Sequence, residues 1–262
     1  MDRFFLSPDQ WDENPTLRGD EAHHCLKVMR KQVGDEIAIF DGNGREASAR
    51  VCGVSKNETR LELIDTRNTS TVLPQLEVAV GVPKGKIFDL ILQKAVEMGV
   101  NRIQPLVSDQ GNVRFKNGED LAKRDKWQRI LLEASKQCGQ NHLPEVMVPA
   151  LLDNYLRNIE PGGTRIVGAL TSETKTLKEV LDGLEVPERV VLMVGPEGDF
   201  SAGEYERIFE SGFAPVGLGE LVLRTETAVV WMAAAVRFHH SVGKAQPFTS
   251  NQLFYHSHFR GT

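Results

Sequence analysis

The chain has 262 residues, of which 40% are hydrophobic and 26% charged, a composition typical of a globular protein with one or two cores. It has no run approaching the roughly 20 apolar residues of a membrane span and no apolar signal-peptide stretch, so we expect a cytoplasmic protein. The net charge of −5 argues weakly against a nucleic-acid partner, and Cys25, Cys52 and Cys138 show neither disulfide nor zinc spacing.

The first 70 residues are predicted to form a β-rich domain. Asp20 is a candidate helix N-cap, with Ala22, Leu26 and Met29 on one helical face. Strands are expected over residues 35–40, 46–54 and 59–64, with a tight turn at residues 41–44. A small barrel with one helix fits this pattern, and the polar segment 65–71 is predicted to be a linker.

From residue 76 onward, strand patterns alternate with helix patterns, which predicts an α/β domain with a mainly parallel sheet. Ser201 and Glu204 form a capping-box pattern at the start of one helix. The predicted strands cover residues 76–82, 100–107, 165–170, 190–194 and 215–218. The predicted helices cover residues 87–98, 124–138, 201–211 and 227–240. Residues 243–262 are expected to be a C-terminal extension.

The middle of the chain is its only basic block. Residues 84–141 hold eleven Lys and Arg against seven Asp and Glu. A local basic face can bind nucleic acid even when the whole chain is acidic. An ordinary solvated helix surface would give the same count, so charge alone leaves both interpretations open.

Two glycine-containing loops carry the strongest functional signal. Residues 195–201 read Gly-Pro-Glu-Gly-Asp-Phe-Ser after a buried strand, and residues 218–228 lead into the last helix. Ligands of open α/β sheets bind beyond the carboxyl ends of strands, so both loops could close around one small molecule. Apolar walls and backbone carbonyls suit an adenine ring. Arg224 and Glu226 beside this pocket either act on a substrate or form a structural ion pair.

The chain resembles the SPOUT-class methyltransferases, and closely the small-subunit ribosomal RNA uridine N3-methyltransferases. The resemblance covers nearly residues 1–240 and rests on five motifs in the right order. They are Arg3-Phe4-Phe5 with His23 to Val28, Arg30, Gly34 and Asp35; residues 93–100; residues 133–139; residues 195–198; and residues 218–219 with 223–228.

The resemblance implies a fold that the spacing alone does not predict. Residues 1–70 would be a PUA-like β-barrel that helps to hold RNA. Residues 74–242 would be an α/β methyltransferase domain with a deep trefoil knot, a rare exception among folds. The protein would be a homodimer with its pockets near the interface. The helix from Thr227 would supply part of that interface, although its apolar face is equally typical of core.

The resemblance also implies a reaction, the methylation of uracil N3 in 16S ribosomal RNA, at uracil 1498 in conventional numbering. S-adenosylmethionine would be the methyl donor, without a metal. Arg224 is our candidate for favouring the uracil anion, and Glu226 for orienting it or accepting the proton. Besides these two, the implied cofactor residues are Leu170, Thr171, Gly195, Pro196, Glu197, Gly198, Leu218, Gly219, Leu223 and Thr227.

Ribosomal RNA or the assembled small subunit would be the partner. Candidate phosphate contacts are Lys27, Arg30, Lys84, Lys86, Lys94, Arg102, Arg114 and Lys116, each of which could instead be a solvated surface charge. Gln110, Gln140 and His142 stand where the family commonly carries Arg, which weakens the expected RNA binding. Two alternatives stay open, a SPOUT enzyme acting on another RNA such as transfer RNA and a non-catalytic RNA-binding assembly factor.

Overall fold

The computed structural model describes residues 1–111, 113–115, 118–171, 174–183 and 186–240. The described residues form two compact units. The first comprises Met1–Thr71 with Ser135–Leu143, and the second comprises Val72–Ala134 with the described residues from Pro144 to His240. The predicted extension at residues 243–262 lies outside the described residues. Within the described ranges, no helix combines the length and the hydropathy that a membrane span requires.

A curled five-stranded sheet, a half-barrel, builds most of the first unit. Its strands are β1 (Arg3–Phe5), β2 (Thr16–Arg18), β3 (Glu36–Phe40), β4 (Arg45–Val54) and β5 (Glu58–Asn68). They lie in the order β1-β3-β4-β5-β2, with β1 parallel to β3 and the other pairs antiparallel. Two register shifts between β4 and β5 give the local bending that curls such a sheet. The expectation of a small β-rich unit is confirmed.

The helix predicted around residues 20–29 of this unit differs from its prediction. Helix α1 (Gly19–His23) has Arg18 at its N-cap, so the assignment of Asp20 to that position is wrong. The chain continues as a π-helical turn, His24–Val28, which adds a residue to the turn and shifts the helical phase. Ala22 is therefore buried as expected, whereas Met29 is 37% exposed.

Ser135–Leu143 joins the first unit through buried polar contacts. The Arg3 guanidinium donates to the Ser135 carbonyl oxygen at 2.8 Å and to the side-chain oxygen of Asn141. Asn141 in turn donates to Glu46 Oε2 at 2.6 Å. Because Arg3, Glu46 and Asn141 are all buried, these bonds satisfy groups that would otherwise be costly to desolvate.

The second unit contains an eight-stranded sheet in which every described pair is parallel, which confirms the prediction. Its strands are β6 (Gln75–Gly81), β7 (Arg102–Val107), β8 (Glu145–Val146), β9 (Ala150–Leu151), β10 (Thr164–Gly168), β11 (Lys175–Thr176), β12 (Arg189–Val194) and β13 (Ala214–Gly217). The order is β11-β13-β10-β12-β6-β7-β8, with β9 also beside β7. Residues 190–194 of β12 are at most 5% exposed, as expected for a parallel strand covered on both faces.

Six helices accompany this sheet: α2 (Ile87–Glu97), α3 (Glu119–Cys138), α4 (Leu152–Asn158), α5 (Leu177–Asp182), α6 (Ala202–Glu210) and α7 (Thr225–His240). The capping box at Ser201 and Glu204 is confirmed, with both reciprocal hydrogen bonds present. Helix α3 begins five residues before its predicted start and α7 two residues before. The short helices α4 and α5 were not predicted.

Candidate functional site

A cavity of about 620 Å³ opens at the carboxyl ends of β10, β12 and β13. Because β10 lies between β12 and β13 in a parallel sheet, three loops leave the sheet at the same edge. The volume lies in the range of small-molecule sites. The lining residues are Ile87, Gly168, Ala169, Leu170, Thr171, Thr174, Val194, Gly195, Pro196, Glu197, Asp199, Gly217, Leu218, Gly219, Leu221, Val222, Leu223, Arg224, Thr225, Glu226 and Ala228.

The first loop, residues 195–200, follows β12 and is held by three hydrogen bonds. Thr225 Oγ1 donates to the Gly195 carbonyl oxygen at 3.1 Å, which ties this loop to the first turn of α7. The backbone N–H of Lys84 donates to Glu197 Oε1 at 3.0 Å. The Asp199 N–H donates to the Pro196 carbonyl at 2.9 Å and closes a turn.

A close approach between strands also sets the position of this loop. A Cβ atom built on Gly81, the last residue of β6, would lie 2.5 Å from Pro196 Cδ and 2.6 Å from Pro196 N. Real Cβ atoms essentially never come so close, so any larger residue at position 81 would displace Pro196. Glycine is therefore required at the end of β6 to let the first loop pass.

The second loop, residues 218–224, connects β13 to α7. Gly219 has φ of 117° with open space around it, so its backbone conformation rather than its size requires glycine. Leu221 and Val222 are 78% and 75% exposed at the cavity mouth. This loop therefore offers apolar side chains that a bound molecule could cover.

The third loop, residues 169–174, follows β10. Its described members Ala169, Leu170, Thr171 and Thr174 all line the cavity, and Leu170 is 66% exposed. A Cβ atom on Gly168, the last residue of β10, would lie 3.2 Å from Leu218 Cδ1, so the second and third loops pack closely at their bases.

The structure brings most of the predicted cofactor residues together at this cavity. Gly198 and Thr227 do not line it, because Gly198 packs against the backbone of Gln110 and Thr227 is exposed on α7. The predicted residues that do line it are Leu170, Thr171, Gly195, Pro196, Glu197, Leu218, Gly219, Leu223, Arg224 and Glu226. Sequence reasoning assigned no role to Thr225 and Asp199, although both lie inside its motifs. It had no signal for Ile87 and Thr174.

Arg224 and Glu226 both line the cavity, and no ion pair joins them in the described part of the chain. The structural ion pair that the sequence left open is therefore not formed. Among the described residues that line the cavity, Arg224 is exposed and carries the only guanidinium or ammonium group, whereas Glu197, Asp199 and Glu226 supply three carboxylates. This excess of negative charge favours a cationic ligand. Among the described residues, no cluster of three or more His, Cys, Asp or Glu is placed to hold a metal ion.

The basic candidates fall into two groups. Lys84 and Lys86 are exposed between β6 and α2, next to the cavity, and Lys27 and Arg30 are exposed on the first unit. These four side chains have no ion pair within the described ranges.

The other basic candidates are engaged or lie elsewhere. Lys94 pairs with Glu97 at 2.9 Å, and Arg114 donates to four backbone carbonyls of residues 108–113. Arg102 starts β7, at the opposite end of the sheet from the cavity, and pairs with Glu160 at 2.8 Å. Lys116 lies outside the described residues.

The three residues that replace the expected arginines make local contacts. The Gln110 carbonyl packs beside Gly198. In the first unit, the side-chain oxygen of Gln140 accepts from the His142 N–H at 3.3 Å, and His142 Nε2 lies 2.8 Å from the Thr69 carbonyl oxygen. These contacts stabilise the loops that contain the three residues.

Known proteins match this architecture along nearly its whole length. A family model described as an RNA methyltransferase domain matches residues 71–237, and one described as an RNA methyltransferase PUA domain matches residues 17–64. The ribosomal RNA small subunit methyltransferase E of Bacillus subtilis is 30% identical over 247 residues, which is 91% of this chain and 96% of that protein.

Two solved structures are similar in fold and were determined with a bound methyl donor. Ribosomal RNA small subunit methyltransferase E from Neisseria gonorrhoeae, bound to S-adenosyl methionine, has a TM-score of 0.81 and 29% identity. It covers 91% of this chain and 97% of its own. A Legionella pneumophila protein in complex with bound SAM has a TM-score of 0.81 and 27% identity, covering 90% and 96% of the two chains.

Proposed function

The chain belongs to the RNA methyltransferase family, and on that premise we propose that it methylates N3 of a uridine in 16S ribosomal RNA, uracil 1498 in conventional numbering, using S-adenosylmethionine. The observation that carries the proposal is the cavity of about 620 Å³ with Arg224 and Glu226 at the carboxyl edge of the parallel sheet. The names of its relatives, which are small-subunit ribosomal RNA methyltransferases, support the choice of RNA.

The lining of the cavity fits S-adenosylmethionine. Leu218, Leu223 and Ile87 provide apolar surface for an adenine ring, and the glycine-containing first loop lets backbone groups approach a ligand. The cofactor brings an activated methyl group on a positively charged sulfonium. The carboxylates of Glu197 and Asp199 would favour that charge, because the described lining residues carry more carboxylates than guanidinium groups.

Arg224 and Glu226 are the two residues that we propose to act on the uracil. Uracil N3 is weakly acidic and must lose a proton when it is methylated. The Arg224 guanidinium, exposed at the cavity and held in no ion pair with the described residues, would stabilise the uracil anion. Glu226, two residues further on, would orient the guanidinium or accept the proton.

Deleting the gene and measuring ribosomal RNA nucleosides by mass spectrometry tests the reaction and its target. We expect 3-methyluridine to disappear from small-subunit RNA, to return with the wild-type chain and to stay absent with Arg224→Ala. Arg224→Lys keeps the charge but loses the planar donor fork, and should restore only part of the modification. Unchanged 3-methyluridine in the deletion strain would rule out this target and direct the search to transfer RNA.

Cofactor titration separates the enzyme from a non-catalytic assembly factor. Isothermal titration of the purified chain with S-adenosylmethionine should give saturable binding. Arg224→Ala should bind the cofactor nearly as well as the wild type if Arg224 acts on the uracil. A wild-type chain that binds no cofactor would favour the assembly-factor alternative.

For the RNA surface we propose Lys84 and Lys86 beside the cavity, with Lys27 and Arg30 on the first unit. Replacing Lys84 and Lys86 with Ala should weaken binding to ribosomal RNA and reduce its dependence on salt, because each lost phosphate contact lowers the salt slope by about one. Lys94→Ala is the matched control, since that side chain is already paired with Glu97. Equal salt slopes for the control and the double variant would contradict this surface.

A second copy of this chain is the partner that we propose for the exposed apolar side of α7. Trp231 is 40% exposed and Phe238 is 85% exposed on that helix, and Leu221 and Val222 are exposed just before it. Sedimentation equilibrium should give twice the mass of 29.2 kDa, and Trp231→Glu with Phe238→Glu should give the monomer mass. The deep knot and the cytoplasmic location stay predictions.

A further inference from the structure

Tyr205 lies behind the cavity and is not part of its lining. It is on α6, is 8% exposed and packs between two aromatic rings. Its ring lies edge-on to Phe200 at 5.6 Å and stacks on Phe209 at 5.5 Å. Its hydroxyl donates a hydrogen bond to Asp199 Oδ1 at 2.7 Å. The ring packing therefore fixes the place of a hydroxyl that holds a cavity residue.

Asp199 has an unusual backbone that this hydrogen bond stabilises. Its φ is 60°, in the left-handed region that non-glycine residues rarely adopt. A Cβ atom on Gly195 would lie 2.7 Å from Asp199 Oδ1, so the bonded carboxylate lies directly over the start of the first loop. Fixing the Asp199 carboxylate therefore restricts the first loop from Gly195 to Asp199.

The hydroxyl of Tyr205 stays protonated as a donor to Asp199. Burial raises the pKa of Tyr205 well above its usual range, and the hydrogen bond to Asp199 raises it further. Asp199 lines the cavity, so this hydrogen bond acts on the wall of the site.

We propose that Tyr205 is a positioning residue for cofactor binding. Its hydroxyl holds the first loop at Asp199, so that this side of the cavity is already shaped before the cofactor binds. The identity of the cofactor rests on the proposed function. Without the hydroxyl, the first loop samples more conformations, and binding has to order it.

The chain contains a closely matched control for this proposal. Tyr155 on α4 is also 8% exposed, lies in the same hydrophobic cluster and donates at 2.7 Å to a carboxylate, that of Glu77. Glu77 pairs across the sheet with Arg102, at the opposite end from the cavity. Tyr205→Phe and Tyr155→Phe therefore remove the same bond from equally buried sites, and only one of these sites adjoins the cavity.

Two measurements on the full chain decide the proposal. Tyr205→Phe should raise the Kd for S-adenosylmethionine about tenfold or more, the scale of a hydrogen bond to a charged group, and Tyr155→Phe should leave it near the wild-type value. In the ligand-free protein, amide hydrogen exchange should become faster at residues 195–200 only in Tyr205→Phe.

Equal effects of both substitutions on Kd would mean that Tyr205 only stabilises the fold, and this would overturn the proposal. Unchanged exchange in the first loop of Tyr205→Phe would overturn it as well. The exchange measurement needs no cofactor. A wild-type chain that fails to bind S-adenosylmethionine would therefore refute the proposed function, while loop exchange still tests the role of Tyr205.

Discussion

Replacing Thr225 with Val should weaken cofactor binding by breaking the connection between the first loop and α7. Thr225 is 5% exposed, and its hydroxyl donates at 3.1 Å to the buried carbonyl of Gly195. Valine has nearly the same shape, so the substitution removes the donor without leaving a cavity. The Gly195 carbonyl then stays buried without this hydrogen bond.

The expected magnitude follows from that unsatisfied carbonyl. A buried acceptor that loses its donor costs about 1–3 kcal/mol. If the whole cost appears in stability, the Tm falls by about 2–12 °C, since 1 kcal/mol shifts the Tm of a unit this size by roughly 2–4 °C. If the first loop instead moves to solvate the carbonyl, the cost appears in binding, and the Kd rises about 5-fold to 150-fold.

Thr225→Ser is the matched control, because it keeps the hydroxyl and loses one methyl group. Calorimetric titration with S-adenosylmethionine and thermal unfolding of both variants measure the two places where the cost can appear. We expect Thr225→Val to lose affinity, stability or both relative to Thr225→Ser. If both variants agree within about twofold in Kd and within about 1 °C in Tm, the hydrogen bond does not hold the loop.

Two further substitutions test contacts at opposite ends of the parallel sheet. Gly81→Ala should lower both the Tm and the cofactor affinity, because its Cβ would displace Pro196. The control Gly203→Ala, within α6, should leave the Tm unchanged or raise it. Equal Tm values for the two variants would refute the prediction for Gly81. Glu160→Gln should lower the Tm slightly at neutral pH, because the hydrogen bond and charge of Arg102 lower the pKa of that exposed carboxyl. A carboxyl group with a lowered pKa stabilises the fold at pH values above the ordinary carboxyl pKa, and this stabilisation is lost as the pH falls through the folded-state pKa. The Tm difference between Glu160→Gln and the wild type should therefore vanish in acid.

The sequence correctly predicted those strands and helix ends whose pattern depends on a single local cause. The apolar run at residues 190–194 predicted a buried strand, and Ser201 with Glu204 predicted a helix start, because both patterns depend on local chemistry. Helices α4 and α5 were missed because seven and six residues give too few turns for a periodic pattern. Residues 100–101 were predicted as strand, but the Val100 N–H bonds back to the Ala95 carbonyl and completes the exit from α2.

At the site, the sequence identified two loops but not what holds them. The glycine motifs predicted where a ligand could approach, because glycine permits backbone conformations and close contacts that can be inferred from the sequence alone. Thr174 and Ile87 reach the cavity only because the order of the strands brings their segments to the same edge. Tyr205 has the pattern of an ordinary core residue, and the direction of its hydroxyl has no signature in sequence. Arg102 was predicted to be a phosphate contact or a solvated surface charge, but in the structure it pairs with Glu160.

The contact between Arg3 and Asn141 has a consequence for the order of events during synthesis. The two residues are 138 positions apart, so the buried guanidinium near the N-terminus has no acceptor from Asn141 until more than half of the chain has been made. At roughly 5–20 residues per second, this interval is on the order of ten seconds. The half-barrel is first in sequence, yet it is completed only after α3 has been translated. Until then the Asn141 amide, which joins Arg3 to Glu46 in the finished unit, has not been made.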